Sequence, residues 1–311
     1  MNGLIFDIYR GTTHDGPGIR DTVFFKGCSL ACKWCQNPES IEKTNKVLYH
    51  KNICIGCGEC VSVCPSGAAS VGQNGINFDY SLCLGCNSCA DACKSGAFAP
   101  IARRITTEDV LKCVSKDKSF FDISGGGVTL SGGEPLLQGS FALELLRELK
   151  NRGISTALDT CAMVSEDVFM SALPYVDILL LDLKIFDSDE HKRFTGSHNK
   201  QILSNAIAAA AYVRKNSQHR IWVRTPIIPG ATDKDENIRA LADFIKNELS
   251  GAVEKWELCM FNRAAGEKYE SMGKKWIYRN EPSVSIKARD HILKIASDGM
   301  DIEVLTSGIT K

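Results

Sequence analysis

Thr22–Cys35 reads TVFFKGCSLACKWC. Its first part, Thr22–Lys26, is β-branched and aromatic and is closed by Gly27, which predicts a strand. Its second part sets Cys28, Cys32 and Cys35 at C-x3-C-x2-C spacing in the loop that follows. Thiolates are the usual ligands of iron–sulfur clusters, and a cubane has four irons to ligate. Three ligands this close hold three irons, and no fourth cysteine stands near enough in the sequence to join them. The fourth iron is then open, which is the logic of a catalytic metal site rather than a closed structural one. A structural zinc site, or three buried thiols, is the competing reading. A loop at the carboxyl end of a strand is where parallel α/β folds place their chemistry.

Downstream, residues 50–100 change character. Cys54, Cys57, Cys60 and Cys64 are spaced C-x2-C-x2-C-x3-C, and the spacing returns at Cys83, Cys86, Cys89 and Cys93. The surroundings repeat as well, CIGCGECVSVCPSGA against CLGCNSCADACKSGA, so the segment is an internal duplication. This is the spacing of a bacterial two-cluster ferredoxin, in which the fourth cysteine of each run ligates the other cluster. The expectation is Cys54, Cys57, Cys60 and Cys93 on one [4Fe–4S] cluster, and Cys83, Cys86, Cys89 and Cys64 on a second. Zinc would not explain the fourth cysteine after x3.

Beyond the duplication the chain alternates. Residues 106–116 open with threonine caps and first-turn acids, then set Val110, Leu111 and Val114 on one face of a helix. Val128–Leu130 is a short buried strand, with Ser131-Gly132-Gly133-Glu134-Pro135 at its tip; the glycines would let backbone approach a ligand, and Glu134 could accept from an ammonium group. Further strands are expected at 4–9, 154–158, 177–183, 221–225, 253–260 and 302–305. Helices are expected at 136–151, 166–172, 189–194, 201–216, 235–249 and 285–297. Apolar strands separated by helices indicate a parallel sheet with helices outside, a full or partial barrel. Asp159, Asp182, Lys184 and Arg224 fall near strand ends, where they line one opening or serve as caps and ion pairs.

The composition narrows the classes. The chain has 311 residues, 37 Lys+Arg against 37 Asp+Glu and 44% hydrophobic residues. A balanced charge argues against a nucleic-acid binder held by bulk electrostatics. No stretch is apolar enough to cross a bilayer, and MNGLIFDIYR has no basic and apolar leader pattern, so no signal peptide is expected. Fourteen cysteines without a secretion signal suit metal or redox work better than disulfides. The expected compartment is an anaerobic cytoplasm.

Together HDGPGIRDTVFFKGC, the three-cysteine loop with Trp34–Glu39 behind it, the duplicated runs and SGGGVTLSGGEP resemble the radical S-adenosylmethionine superfamily, and within it the activating enzymes of glycyl radical enzymes in their long form. The likeness covers essentially the whole chain. It implies a partial (β/α)6-type TIM-like barrel from residues 1–49 and 101–311, interrupted by a ferredoxin-like 2[4Fe–4S] domain at 50–100. It implies three [4Fe–4S] clusters and S-adenosylmethionine, with Cys28, Cys32 and Cys35 holding the catalytic cluster. Gly132, Gly133 and Glu134 would hold the methionine ammonium, and Trp34 and Gln36 would flank the adenine. Asp159, the Asp182-Leu183-Lys184 strand end and Arg224 would contact the carboxylate and ribose. Asn262 stands where the family commonly has a histidine, and could reach adenine or ribose through its amide. Trp276–Asn280, WIYRN, matches no family signature. The implied reaction is reductive cleavage of the sulfonium to a 5′-deoxyadenosyl radical, which takes a hydrogen from a glycine Cα of a partner glycyl radical enzyme. A low-potential donor such as flavodoxin or ferredoxin would supply the electron, and a monomer is the default expectation. The rivals are a radical enzyme acting on a small molecule or another peptide with auxiliary clusters, and a ferredoxin-like electron carrier fused to a scaffold barrel.

Overall fold

The computed structural model describes residues 1–73, 75–308 and 310. Its strands are β1 (Asn2–Thr12), β2 (Arg20–Phe25), β3 (Val47–Tyr49), β4 (Ala69–Gly72), β5 (Gly75–Phe78), β6 (Phe98–Pro100), β7 (Arg103–Thr106), β8 (Gly127–Gly132), β9 (Ser155–Thr160), β10 (Ile178–Asp182), β11 (Arg220–Ile227), β12 (Val253–Met260) and β13 (Glu303–Ser307). Its helices are α1 (Glu59–Ser62), α2 (Ser88–Asp91), α3 (Thr107–Val114), α4 (Lys118–Ser124), α5 (Gly139–Asn151), α6 (Glu166–Ala172), α7 (Ser188–Thr195), α8 (Lys200–Lys215), α9 (Asp235–Glu248), α10 (Gly266–Ser271) and α11 (Ile286–Ser297).

The large sheet runs β13-β12-β11-β10-β9-β8-β2-β1-β7. From β2 to β13 every pairing is parallel, whereas β1 pairs antiparallel with both β2 and β7. Seven strands are parallel, because β13, at the strand expected over 302–305, continues the six of the partial barrel beyond β12. The sheet keeps two edges, β13 and β7, and so forms a barrel-like wall left open on one side. The strand Arg103–Thr106 escaped the sequence reading: it has no apolar alternation and is held by its ladder to Asn2–Ile5.

The strands are apolar because helices cover them. All six residues of β2 are buried, and β10 reads ILLLD. Helix α5 turns Phe141, Ala142, Leu145, Leu146 and Leu149 inward at three- and four-residue spacing. Helix starts are fixed locally: the Thr106 hydroxyl accepts from Asp109 N at 3.1 Å ahead of α3, and Asp187 accepts from Asp189 N and Glu190 N ahead of α7.

The duplicated segment forms its own small unit. Strands β3 and β6 pair across its base, and β4 pairs with β5. Its core joins Val47, Ile76 and Phe98 to the buried Cys60 and Cys89, with Tyr49 and Phe78 against them. Val47–Tyr49 therefore packs with this unit, a few residues ahead of the boundary read at 50. No described helix is long and apolar enough to cross a membrane.

Candidate active site

The loop Cys28–Cys35 leaves the tip of β2 and is tied down on both sides. Gly27 N donates to Ser40 O and Cys28 N to Ile41 O. The buried Lys26 ammonium donates to Glu39 O and Glu42 O at 2.5 and 2.6 Å. Across the mouth, Ala31 N and Lys33 N donate to Thr195 O and Phe194 O at the end of α7. Trp276 Nε1 donates to Lys33 O at 3.1 Å. The loop is fixed chiefly through its backbone, and of its thiols Cys28 Sγ accepts from Leu30 N at 3.4 Å.

Those thiols are neighbours and are half-buried. Burial, with the other thiolates nearby, raises Cys32 and pushes Cys35 up to about 12. Cys28 is lowered, chiefly by a hydrogen bond from Cys161. No fourth cysteine stands near the loop in the sequence, but one does in space. Cys161 follows β9, and the parallel ladder carries it beside Cys28, a neighbour that sequence separation concealed. Its Sγ also lies 3.2 Å from Glu134 Oε2.

Below the loop a polar girdle crosses the inner wall. Ser131 Oγ donates to Asp159 Oδ2 at 2.6 Å. Asp182 registers with Arg224, and Arg224 with Glu257. The Arg224 guanidinium approaches Asp159 at 3.6 Å and Glu257 at 3.2 Å, yet its buried Nε makes no hydrogen bond. Burial pushes Asp159 up to about 7, against the pull of Arg224. Lys184 is paired with Asp182; burial opposes its charge, but Asp182 and the thiols more than compensate, and its pKa is raised. Asn237 holds Lys184 O, while Trp256 Nε1 bonds Thr225 Oγ1, which bonds Leu183 O. Leu183 contributes only its backbone, its side chain being buried. Arg224 lies within β11 rather than at its end, because that strand runs on to Ile227. Ser131 and Glu257 were missed by the sequence reading; the alternation of Lys255, Glu257 and Cys259 with buried Trp256, Leu258 and Met260 was the available signal.

The tip of β8 is built differently from expectation. A Cβ at Gly133 would stand 2.1 Å from Gly27 O, and one at Gly132 2.6 Å from Phe25 N. The glycines let β8 press against the β2 connection, and Gly133 N and Glu134 N donate to Phe25 O and Gly27 O. The Glu134 side chain is 0% exposed. Oε1 accepts from Leu136 N at 3.2 Å, and Oε2 from Thr160 Oγ1 at 2.7 Å and Cys161 N at 3.0 Å. Its carboxylate is a clasp between the tips of β8 and β9, spent on protein donors rather than held out to an ammonium group. Burial raises its pKa and these bonds oppose the rise.

The residues expected to flank the adenine are packed among protein groups. Trp34 is 4% exposed and tilts against Phe194, which is the packing role. Gln36 Nε2 donates to Asn262 O at 3.1 Å, bringing together two residues far apart in the chain.

In the duplicated unit the thiols sort across the repeats. Burial raises Cys60, and Cys54, Cys57 and Cys93 add to it. Burial pushes Cys89 up to about 11, with Cys83 and Cys64 adding to it. Cys93 thus neighbours the first run and Cys64 the second. The buried Tyr49 hydroxyl, close to Cys54, has no oxygen or nitrogen partner. Among the described residues no three Cys, His or carboxylate groups close on a single point.

The profile described as Radical SAM superfamily matches residues 22–242. The chain is 38% identical to the choline trimethylamine-lyase activating enzyme of Oleidesulfovibrio alaskensis over 91% of each. It is 39% identical to the isethionate sulfite-lyase activating enzyme of Desulfovibrio desulfuricans, over 96% of this chain and 95% of that one. The chain belongs to the Radical SAM superfamily, among the activating enzymes of glycyl radical enzymes. This activating enzyme is also 38% identical to the trans-4-hydroxy-L-proline dehydratase activating enzyme of Clostridioides difficile, over 89% of this chain and 90% of that one. A radical SAM methyltransferase from Sphaerobacter thermophilus shares its fold, with a TM-score of 0.51 at 12% identity over 97% of this chain and 76% of that one.

Proposed function

We propose that Cys28, Cys32 and Cys35 hold a [4Fe–4S] cluster whose free iron binds S-adenosylmethionine, and that the chain installs a radical on a glycine Cα of a glycyl radical enzyme. The observation that carries this is the mouth itself: three neighbouring thiols on one firmly tied loop, near a buried guanidinium whose Nε makes no hydrogen bond. The donor set fits the cluster, and Arg224 with Lys184 fits a carboxylate and ribose hydroxyls. When bound, cluster and nucleotide supply one electron and a 5′-deoxyadenosyl radical. The residues do the rest. Asp159 and Asp182 with the peptide groups of Gly132 and Gly133 receive the ammonium, and Gln36 and Asn262 flank the adenine. Trp34, Phe194 and Trp276 brace the loop and exclude water, so that the reacting carbon meets a glycine before it meets solvent. Cys54, Cys57, Cys60 and Cys93 hold one accessory [4Fe–4S] cluster, and Cys83, Cys86, Cys89 and Cys64 another, in a ferredoxin-like insert near 50–100 fed by flavodoxin or ferredoxin. The working form is a cytoplasmic monomer that meets its partner transiently.

The test is anaerobic incubation of reconstituted, reduced protein with S-adenosylmethionine. Release of 5′-deoxyadenosine, and a glycyl radical signal in paramagnetic resonance only when a glycyl radical enzyme is added, are expected. A radical product on a small molecule, with no dependence on a protein partner, would overturn the reading.

A further inference from the structure

The duplicated unit meets the barrel at Tyr80, three residues ahead of Cys83. The Tyr80 hydroxyl donates to Ser271 O at the end of α10. Its ring lies on Gly273, where a Cβ would stand 2.5 Å from Tyr80 Cδ2. Its surroundings include Cys83 and Cys89. Two residues before Ser271 in α10, Tyr269 is buried beside Cys35 and Cys32. It stacks on Trp276, at 5.3 Å between centroids and 12° between planes, and Trp276 donates to the backbone next to Cys32. WIYRN, which no family pattern explained, thus supplies the ring that couples α10 to the three-thiol loop.

Resting on the three-cluster reading above, we propose that Tyr80, α10 and the Tyr269–Trp276 stack are the bridge along which an electron passes from the second accessory thiol set to the catalytic loop. Covalent bonds, hydrogen bonds and stacked rings couple donor and acceptor better than a gap, and this route runs through them: Tyr80 hydroxyl, Ser271 carbonyl, two residues of helix backbone, the stacked rings of Tyr269 and Trp276, Lys33 carbonyl. One electron leaves the cluster on Cys83, Cys86, Cys89 and Cys64, which is oxidised by one. The cluster on Cys28, Cys32 and Cys35 is reduced by one. A reduced one-electron carrier protein restores the first, and no proton or bond moves. The rings are coupling medium and are not themselves oxidised.

The experiment is rapid-freeze paramagnetic resonance on the anaerobic holoenzyme with reduced flavodoxin, the catalytic cluster being distinguished by its response to S-adenosylmethionine. Tyr80→Phe removes the hydroxyl and keeps the ring. Gly273→Ala displaces the ring without altering it. Both variants are expected to keep the full iron content and wild-type reduction of the accessory clusters, and to lose the fast phase of catalytic-cluster reduction. Wild-type kinetics in both would overturn the bridge while leaving the three-cluster reading intact. A chain that binds only about four irons overturns the three-cluster reading, and the bridge with it. If both variants shed accessory iron, Trp276→Phe, remote from the accessory thiols, decides by the same fast phase.

Discussion

Replacing Glu134 by Gln separates two roles for the same carboxylate. In the structure Oε1 accepts from Leu136 N, and Oε2 from Thr160 Oγ1 and from the backbone and thiol of Cys161. A glutamine can keep its carbonyl where Oε2 was, and its NH2 then faces the Leu136 N–H. One buried donor is orphaned, at about 1–3 kcal/mol, and the surviving bonds weaken from charged to neutral acceptors by about 1 kcal/mol each. Removal of a carboxylate that burial disfavours returns part of this. The net expectation is a loss of about 2 kcal/mol, read as a fall of roughly 5 °C in the melting temperature. S-adenosylmethionine affinity, followed through the catalytic cluster's spectral response, should change by less than about threefold, since no nucleotide contact is removed. If the carboxylate instead binds the ammonium, a charged hydrogen bond of about 3 kcal/mol is lost and the affinity falls roughly a hundredfold. That result with an unchanged melting temperature would refute the clasp.

Other outcomes follow from neighbouring geometry. Cys161→Ser should retain the catalytic cluster, because Cys161 serves Glu134 and Cys28 as a hydrogen-bond donor, whereas Cys28→Ser should lose it; equal iron loss in the two would make Cys161 a ligand. Cys64→Ala should abolish the signal of the cluster on the second run, and Cys93→Ala that of the first, as judged by iron analysis and paramagnetic resonance; loss confined to each residue's own run would reverse the pairing. Burial, aided by Asp117, pushes Asp21 up to about 7, while Gly11 N and Arg10 oppose the rise. An unfolded aspartate titrates near 3.9, so the native chain holds a proton that the unfolded chain releases between about pH 4 and 7, and stability falls as pH rises through that window. Asp21→Asn should therefore gain on the wild type by about 2 kcal/mol at pH 8 and roughly half of that at pH 5.5, measured by melting temperature; an offset independent of pH would contradict this.

Much of the molecule was legible along the chain because its signals are local. Thr22–Lys26 is a strand by residue type, and Val253–Met260 was bounded correctly. The cysteine spacings set which thiols share a loop, since a few residues of backbone cannot carry them apart. What the chain alone withheld is contact across the sheet. Cys161 lies far from Cys28 in sequence and beside it in space, because parallel pairing aligns the tips of β2, β8 and β9. The same alignment turned Glu134 inward and pressed Gly132 and Gly133 against the β2 connection. Trp34 read equally as packing or as a shield; only Phe194, brought in by α7, decided for packing. Tyr80 and WIYRN carried no motif, and their meeting at α10 depends on how the duplicated unit sits on the barrel. Residue chemistry thus fixed which groups are present, while parallel register and inter-unit contact decided which of them face one another.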